Sequence, residues 1–146
     1  RRRWDPSRRA TKIESGSMIL EEESVSPVEL LADMKLTYDL ATHQKIHLEW
    51  NVSDMLPLLW TDPRNLRQIL TNLIDNAIKF TDEGRIVISA EVNLVSGDGC
   101  DRRCIDFSVS DNGIGIPPEE CDNIFNRFYQ VDSSATRSFE GVGLGL

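Results

Sequence analysis

The segment from Asp62 to Phe80 constrains this chain most, because it reads as a helix at both ends and along its whole length. Asp62 offers a side-chain oxygen to the first free amides, Pro63 stands where a missing N–H costs nothing, and Gly84 lies beyond the end. At about 100° per residue, Leu66, Ile69, Leu70, Leu73, Ile74 and Ala77 fall on one broad arc. Asn65, Asn72, Asn76 and Lys79 gather within about 60° of one another beside it. An apolar arc of this width has to be covered, so the chain needs a second layer.

Alternation supplies that layer. From Arg85 to Val95, the residues Ile86, Ile88, Ala90, Val92 and Leu94 share one side of a predicted strand. Ser96-Gly97-Asp98-Gly99 is a turn cluster, and Ile105, Phe107 and Val109 alternate again, so the two runs form a hairpin. Upstream, Pro27 suits a helix start, and Leu30, Leu31, Met34, Leu36, Tyr38 and Leu40 recur at loosely helical spacing up to about Ala41. Ile46 to Trp50 and Met55 to Trp60 read as two strands joined by a turn at Asn51, Ser53 and Asp54. Downstream, Pro117-Pro118-Glu119-Glu120 opens a short helix through about Phe128, and the segment from Asp132 to Glu140 is a mobile loop.

A chain of 146 residues with 40% hydrophobic content supports one core of ordinary size. Its longest wholly apolar stretch, Met55 to Trp60, is interrupted by Pro57 and falls far short of the roughly 20 residues that span a bilayer. The arginines at the start precede no apolar stretch, which argues against a secretory signal. Cys100, Cys104 and Cys121 lack zinc-like spacing and read as free thiols of a reducing compartment. Residues 1–12 carry Arg1, Arg2, Arg3, Arg8, Arg9 and Lys12 against Asp5, yet the whole chain has a net charge of −8. The body is therefore acidic and repels phosphate backbones, which excludes nucleic acid as a partner of the folded part. Residues 1–12 show no period and are expected to be a disordered or foreign leader.

Three features carry candidate chemistry. The stripe Asn72, Asn76, Lys79 lies on one helix face; amide oxygens are hard neutral ligands suited to Mg²⁺, and a lysine one turn on can meet a phosphate. The same pattern also describes a solvated helix face. Asp111 ends a strand and is followed at once by Gly113 and Gly115, so its carboxylate can accept from an exocyclic amine while bare backbone approaches a flat ring. An Asp-Asn-Gly sequence is equally a hairpin turn signal. The closing Gly141-Val142-Gly143-Leu144-Gly145-Leu146 has the makings of a phosphate-cradling loop, without the features of a Walker loop or a dinucleotide fingerprint.

The order of these boxes is more specific than any one of them. NLIDNAIKF (Asn72 to Phe80), DNGIGI (Asp111 to Ile116), IFNRFYQ (Ile124 to Gln130), a polar loop and GVGLGL follow one another. Box by box, they resemble the ATP-binding catalytic domain of sensor histidine kinases, within the family shared with gyrase and heat-shock chaperone ATPases. The resemblance covers residues 11 to 146 or so and implies an α/β, or α+β, two-layer sandwich. Its mixed β-sheet would have helices on one face and would be incomplete at the C-terminus. Residues 13–26 would be a remnant of a dimerisation-domain helix and its linker, with Lys12-Ile13-Glu14-Ser15-Gly16 resembling the helix end, and residues 27–146 the catalytic domain.

The resemblance also implies roles. ATP and Mg²⁺ would be the cofactors, with Asn76 the metal ligand, Asn72 its companion and Lys79 a phosphate contact. Asp111 would read the adenine amine, with Gly113 and Gly115 bordering the base. Phe125 and Phe128 would anchor a lid whose glycines, Gly141, Gly143 and Gly145, form its hinge and phosphate floor; Gln130 and Arg137 would face the polyphosphate. The implied activity is transfer of the ATP γ-phosphate to a histidine on a separate dimerisation domain, in a cytoplasmic portion of a homodimeric protein that signals to a response regulator receiver domain. His43 and His47 lie outside any acceptor-like context and read as surface residues. Two rivals stand beside this reading. One is a non-catalytic nucleotide-binding or inactive truncated fragment; the other is an ATPase of the gyrase or chaperone type. That branch places a glutamate one turn before the metal-binding asparagine, where this chain has Asn72, and an amide is no general base.

Overall fold

The computed structural model describes residues 20–41, 45–97 and 100–124. In chain order these form β1 (Glu23–Val25), α1 (Pro27–Ala41), β2 (Ile46–Val52), β3 (Leu59–Thr61), α2 (Pro63–Lys79), β4 (Gly84–Gly97), β5 (Cys100–Asp111) and a single 3-10 turn at Pro118–Glu120. The main sheet runs β2-β4-β5, with β2 parallel to β4 and β4 antiparallel to β5, and a small two-stranded sheet pairs β1 with β3. The sheet is therefore mixed, as expected, and both helices cover one face of it: Leu30, Leu31 and Met34 of α1 and Leu70, Ile74 and Ala77 of α2 form one cluster with Ile86, Ile88 and Ala90 of β4.

α2 starts where the sequence places it. Asp62 is extended at φ −83° and accepts from the amides of Arg64 (2.9 Å) and Asn65 (3.1 Å). Its second oxygen accepts from Glu21 N at 3.0 Å, so one carboxylate, only 7% exposed, caps α2 and ties the approach to β1 down beside it. The amide hydrogen bonds, that of Asn65 foremost, hold the Asp62 carboxyl below the usual carboxylate range. Of the apolar arc, Leu70, Ile74 and Ala77 are buried and Leu66 and Leu73 half-buried, but Ile69 is 57% exposed. Ile69 lies at the margin of the arc that borders Asn72 and Asn76, where the helix surface has already turned away from β4.

Other expectations need correction. Val92 and Leu94 continue the alternation of Ile86, Ile88 and Ala90 yet are exposed, because β2 stops at Val52, opposite Ala90, and the hairpin runs on beyond the covered part of the sheet. β2 and β3 are not neighbours: β2 pairs in parallel with β4, whereas β3 pairs with β1, in a stretch the sequence shows only as linker. The Pro117 segment makes one 3-10 turn at Pro118–Glu120 and irregular turns to Ile124, in place of the opening of a regular helix; its continuation toward Phe128 lies outside the described residues. Cys104 and Cys121 are free thiols. Among the described residues no helix is long and apolar enough to cross a membrane.

The two helices are fastened to each other at their exposed edges. Arg67 of α2 meets Asp33 of α1 at 3.4 Å, a solvated pair of little weight. Tyr38 Oη donates to Asp75 Oδ1 at 2.7 Å, and burial, with this hydrogen bond, pushes the phenol up to about 12 from its ordinary value of 10.0. A raised phenol stabilises the fold below the ordinary tyrosine range and loses that contribution as pH climbs from 10 toward 12. Tyr38→Phe should consequently show a flatter fall of thermal midpoint across that alkaline window than the parent chain. Identical alkaline profiles for the two would mean that the Tyr38–Asp75 bond contributes nothing to stability.

Candidate nucleotide site

The predicted stripe is present on α2 as a half-buried rim. Asn72 Oδ1 accepts from Gln68 Nε2 at 2.9 Å, one turn earlier, which orients the amide and leaves its oxygen a second lone pair. Asn76 follows one turn later, and its backbone carbonyl accepts from Phe80 N at 3.0 Å to close the helix. Lys79 sits in the last turn, where a cation complements the negative end of the helix dipole, and its Nζ stands 5.2 Å from the centre of the Phe80 ring. These oxygens are hard neutral donors of the kind Mg²⁺ accepts alongside phosphate and water, so the rim fits that ion better than a soft metal. Among the described residues, no group of three or more His, Cys, Asp or Glu could hold a metal by itself.

Asp111 approaches this rim through the sheet. It ends β5 in register with Ile86, on the same face as Ile105, Phe107 and Val109, and that face is the one the helices cover. Its carboxylate is exposed, and Oδ1 accepts from Gly113 N at 2.9 Å, which fixes the side chain in an Asx-type turn. The Asp-Asn-Gly sequence is therefore not a hairpin turn. The chain leaves β5 here and crosses to the exit of α2.

The crossing is tight. Ile114 N donates to the Phe80 carbonyl at 3.2 Å, and a Cβ at Gly113 would lie 2.2 Å from that same carbonyl oxygen and 2.9 Å from Thr81 Oγ1. Only glycine lets the two backbones meet at this distance. On the other flank, Asn112 Oδ1 accepts from Arg85 N at 2.9 Å, and a Cβ at Gly84, whose φ is +135°, would collide with the Asn112 amide. Gly115, at φ +72°, has nothing within 4 Å of where its Cβ would be, so its glycine answers to backbone conformation alone. The last turn of α2, with Lys79, and the Asp111 turn thus form one junction.

Four residues of that junction escape the sequence patterns: Phe80, Thr81, Gly84 and Asn112. Gly84 reads there only as the residue beyond a helix, although a glycine so close to a helix end is the one available signal. Thr81 is 3% exposed, and its Oγ1 has no hydrogen-bond partner among the described residues; a hydroxyl buried in that condition costs about 1–3 kcal/mol. A small concavity of about 130 Å³ beside Asp111, lined by Arg85, Val87, Ser110, Asp111 and Asn112, is well below the roughly 300–1,000 Å³ of small-molecule pockets. It is too small for a nucleotide. The remaining candidates, Phe125, Phe128, Gln130, Arg137, Gly141, Gly143 and Gly145, lie outside the described residues.

Comparison with known proteins agrees with this geometry. Residues 61–146, more than half of the chain, match the family described as histidine kinase-, DNA gyrase B-, and HSP90-like ATPase. The peroxide stress-activated histidine kinase mak2 of Schizosaccharomyces pombe is 38% identical over 144 residues, and the aerobic respiration control sensor protein ArcB of Escherichia coli is 40% identical over 139 residues. The matches cover 93% and 92% of this chain but only 6% and 17% of those proteins, so the chain spans a small part of its relatives' length. Among solved structures, full-length ShkA in complex with AMPPNP superposes at a TM-score of 0.69 with 33% identity, covering 90% of this chain and 25% of that one. The mycobacterial sensor histidine kinase MprB superposes at 0.60 with 28% identity, covering 85% and 72%. With the mixed sheet, the helix rim and the Asp111 turn in place, the chain belongs to the histidine kinase-, DNA gyrase B-, and HSP90-like ATPase family.

Proposed function

We propose that this chain is the catalytic, ATP-binding portion of a sensor histidine kinase and directs the γ-phosphoryl group of ATP to a histidine on a separate dimerisation domain. The observation that carries the reading is the junction at which the α2 exit, just beyond Asn76 and Lys79, is fixed against the Asp111 turn by the Ile114–Phe80 hydrogen bond. In it, Asp111 accepts the adenine amine, and the bare Gly113 and Gly115 backbone borders the ring. Lys79 meets the polyphosphate, and the Asn76 and Asn72 oxygens hold Mg²⁺. The ion, when bound, screens the phosphate charge that the carbonyl end of α2 would otherwise repel.

Phosphoryl transfer rests on positioning and charge neutralisation, so the side chains named here bind and orient. Asn72 bonded to Gln68 is a pair of amides without a base, which favours a histidine acceptor over activated water. In this reading, residues 27–146 are the catalytic domain and residues 13–26 a remnant of the dimerisation helix with its linker. Phe125, Phe128, Gln130, Arg137, Gly141, Gly143 and Gly145 supply the lid. The partners are the histidine-bearing dimerisation domain and a response regulator receiver domain, in a homodimer whose catalytic part is cytoplasmic. His47 is exposed on β2, without the helical context of an acceptor.

The acceptor test is direct. Incubated with γ-labelled ATP, Mg²⁺ and a separately supplied histidine-bearing dimerisation domain, the chain should place label on that domain, and Asn76→Ala should abolish the transfer while keeping a cooperative thermal transition near the parent's. Label on neither protein, or label from Asn76→Ala at the parent's rate, would contradict the assignment.

Base recognition is tested separately. Asp111→Asn keeps an oxygen for Gly113 N but turns half of the carboxylate into a donor facing the adenine amine. It should weaken ATP by about 1.5–3 kcal/mol, roughly ten- to a hundredfold, with little change for GTP. Equal ATP affinities in parent and variant, measured by titration calorimetry, would remove Asp111 from the site.

A further inference from the structure

Thr81 is the residue at the junction that the fold does not explain. It is 3% exposed, its hydroxyl has no hydrogen-bond partner among the described residues, and that oxygen lies 2.9 Å from the point where a Gly113 Cβ would stand. The atoms around it belong to the two segments that meet there: the Phe80 carbonyl that receives Ile114 N, and the turn whose Gly113 N is bonded to Asp111 Oδ1. A valine would fill the same volume and leave no buried donor unmatched, so packing alone does not call for threonine. A buried hydroxyl in that condition calls for an explanation, and a functional role is one.

We propose that Thr81 is a positioning residue for the nucleotide base: when Asp111 holds an adenine, the Thr81 hydroxyl donates to an oxygen of the Asp111–Gly113 turn and keeps the carboxylate in place. The inference rests on the adenine-reading role proposed above for Asp111. It assigns the recognition of the base partly to a side chain that does not touch it. Because that hydrogen bond is made only with the base bound, the hydroxyl contributes to affinity and not to folding.

Two substitutions separate these contributions. Thr81→Val keeps the volume and removes the donor, whereas Thr81→Ser keeps the donor and removes a buried methyl. Thr81→Val should melt at or above the parent's temperature yet bind ATP, and equally adenosine, about fivefold more weakly. Thr81→Ser should melt lower but bind both within about twofold of the parent. That opposite ordering is the signature of a positioning role. Parent-like affinity in Thr81→Val, or affinities in both variants that simply follow their melting temperatures, would overturn it while leaving the Asp111 assignment intact. A parent chain that binds neither ATP nor adenosine would instead overturn the nucleotide reading, and this proposal with it.

Discussion

The packing of Leu70, Ile74 and Ala77 against Ile86, Ile88 and Ala90 is the contact on which the rest of the molecule depends. Truncating a fully buried aliphatic side chain such as Ile74 typically costs about 2–5 kcal/mol, against a total of about 5–15 for a domain, so few such losses can be absorbed. The same contact sets the rotation of α2 about its axis. Once Ile74 and Ala77 face the sheet, the helical period leaves Asn72, Asn76 and Lys79 no place but the rim. It also sets where α2 ends, and hence where the Phe80 carbonyl waits for Ile114 N. Core and site are thus two faces of one helix.

How much of this could be read from the sequence depends on the range of the forces involved. The bounds of α2 were legible because Asp62, Pro63 and the apolar arc act locally, each within a few residues. The β4–β5 hairpin was legible from alternation, although alternation said nothing about how far the helices reach, which is why Val92 and Leu94 proved exposed. Three-residue β1 carries no period, and the parallel pairing of β2 with β4 is decided by packing across a crossover that contains β3 and α2. Of the residues proposed for the site, helical spacing singles out Asn72, Asn76 and Lys79, and a strand end followed by glycines singles out Asp111. Thr81 and Asn112 were illegible, since their role arises only where segments far apart in sequence close to van der Waals distance.

Electrostatics set the direction in which the site can work. An acidic chain, carrying a net charge of −8, presents the negative end of α2 at the rim. Polyphosphate is unfavourable there unless cations accompany it, and Lys79 supplies one of them. Base recognition as proposed would suffer no such penalty, because an exocyclic amine would bring its own donor to Asp111. The proposed site thus has an adenine half at the β5 turn and a phosphate half that needs added positive charge.

In the proposed function the exit of α2 and the Asp111 turn act as one adenine-receiving junction. Amide hydrogen exchange with and without ATP, resolved to single residues by NMR, tests it most directly. ATP should slow exchange at Gly113 and Ile114 together with Phe80 and Thr81, while the protruding Glu91–Val95 stretch of β4 is unchanged. Protection confined to that stretch, or slowing at Gly113 without any at Phe80 and Thr81, would contradict it.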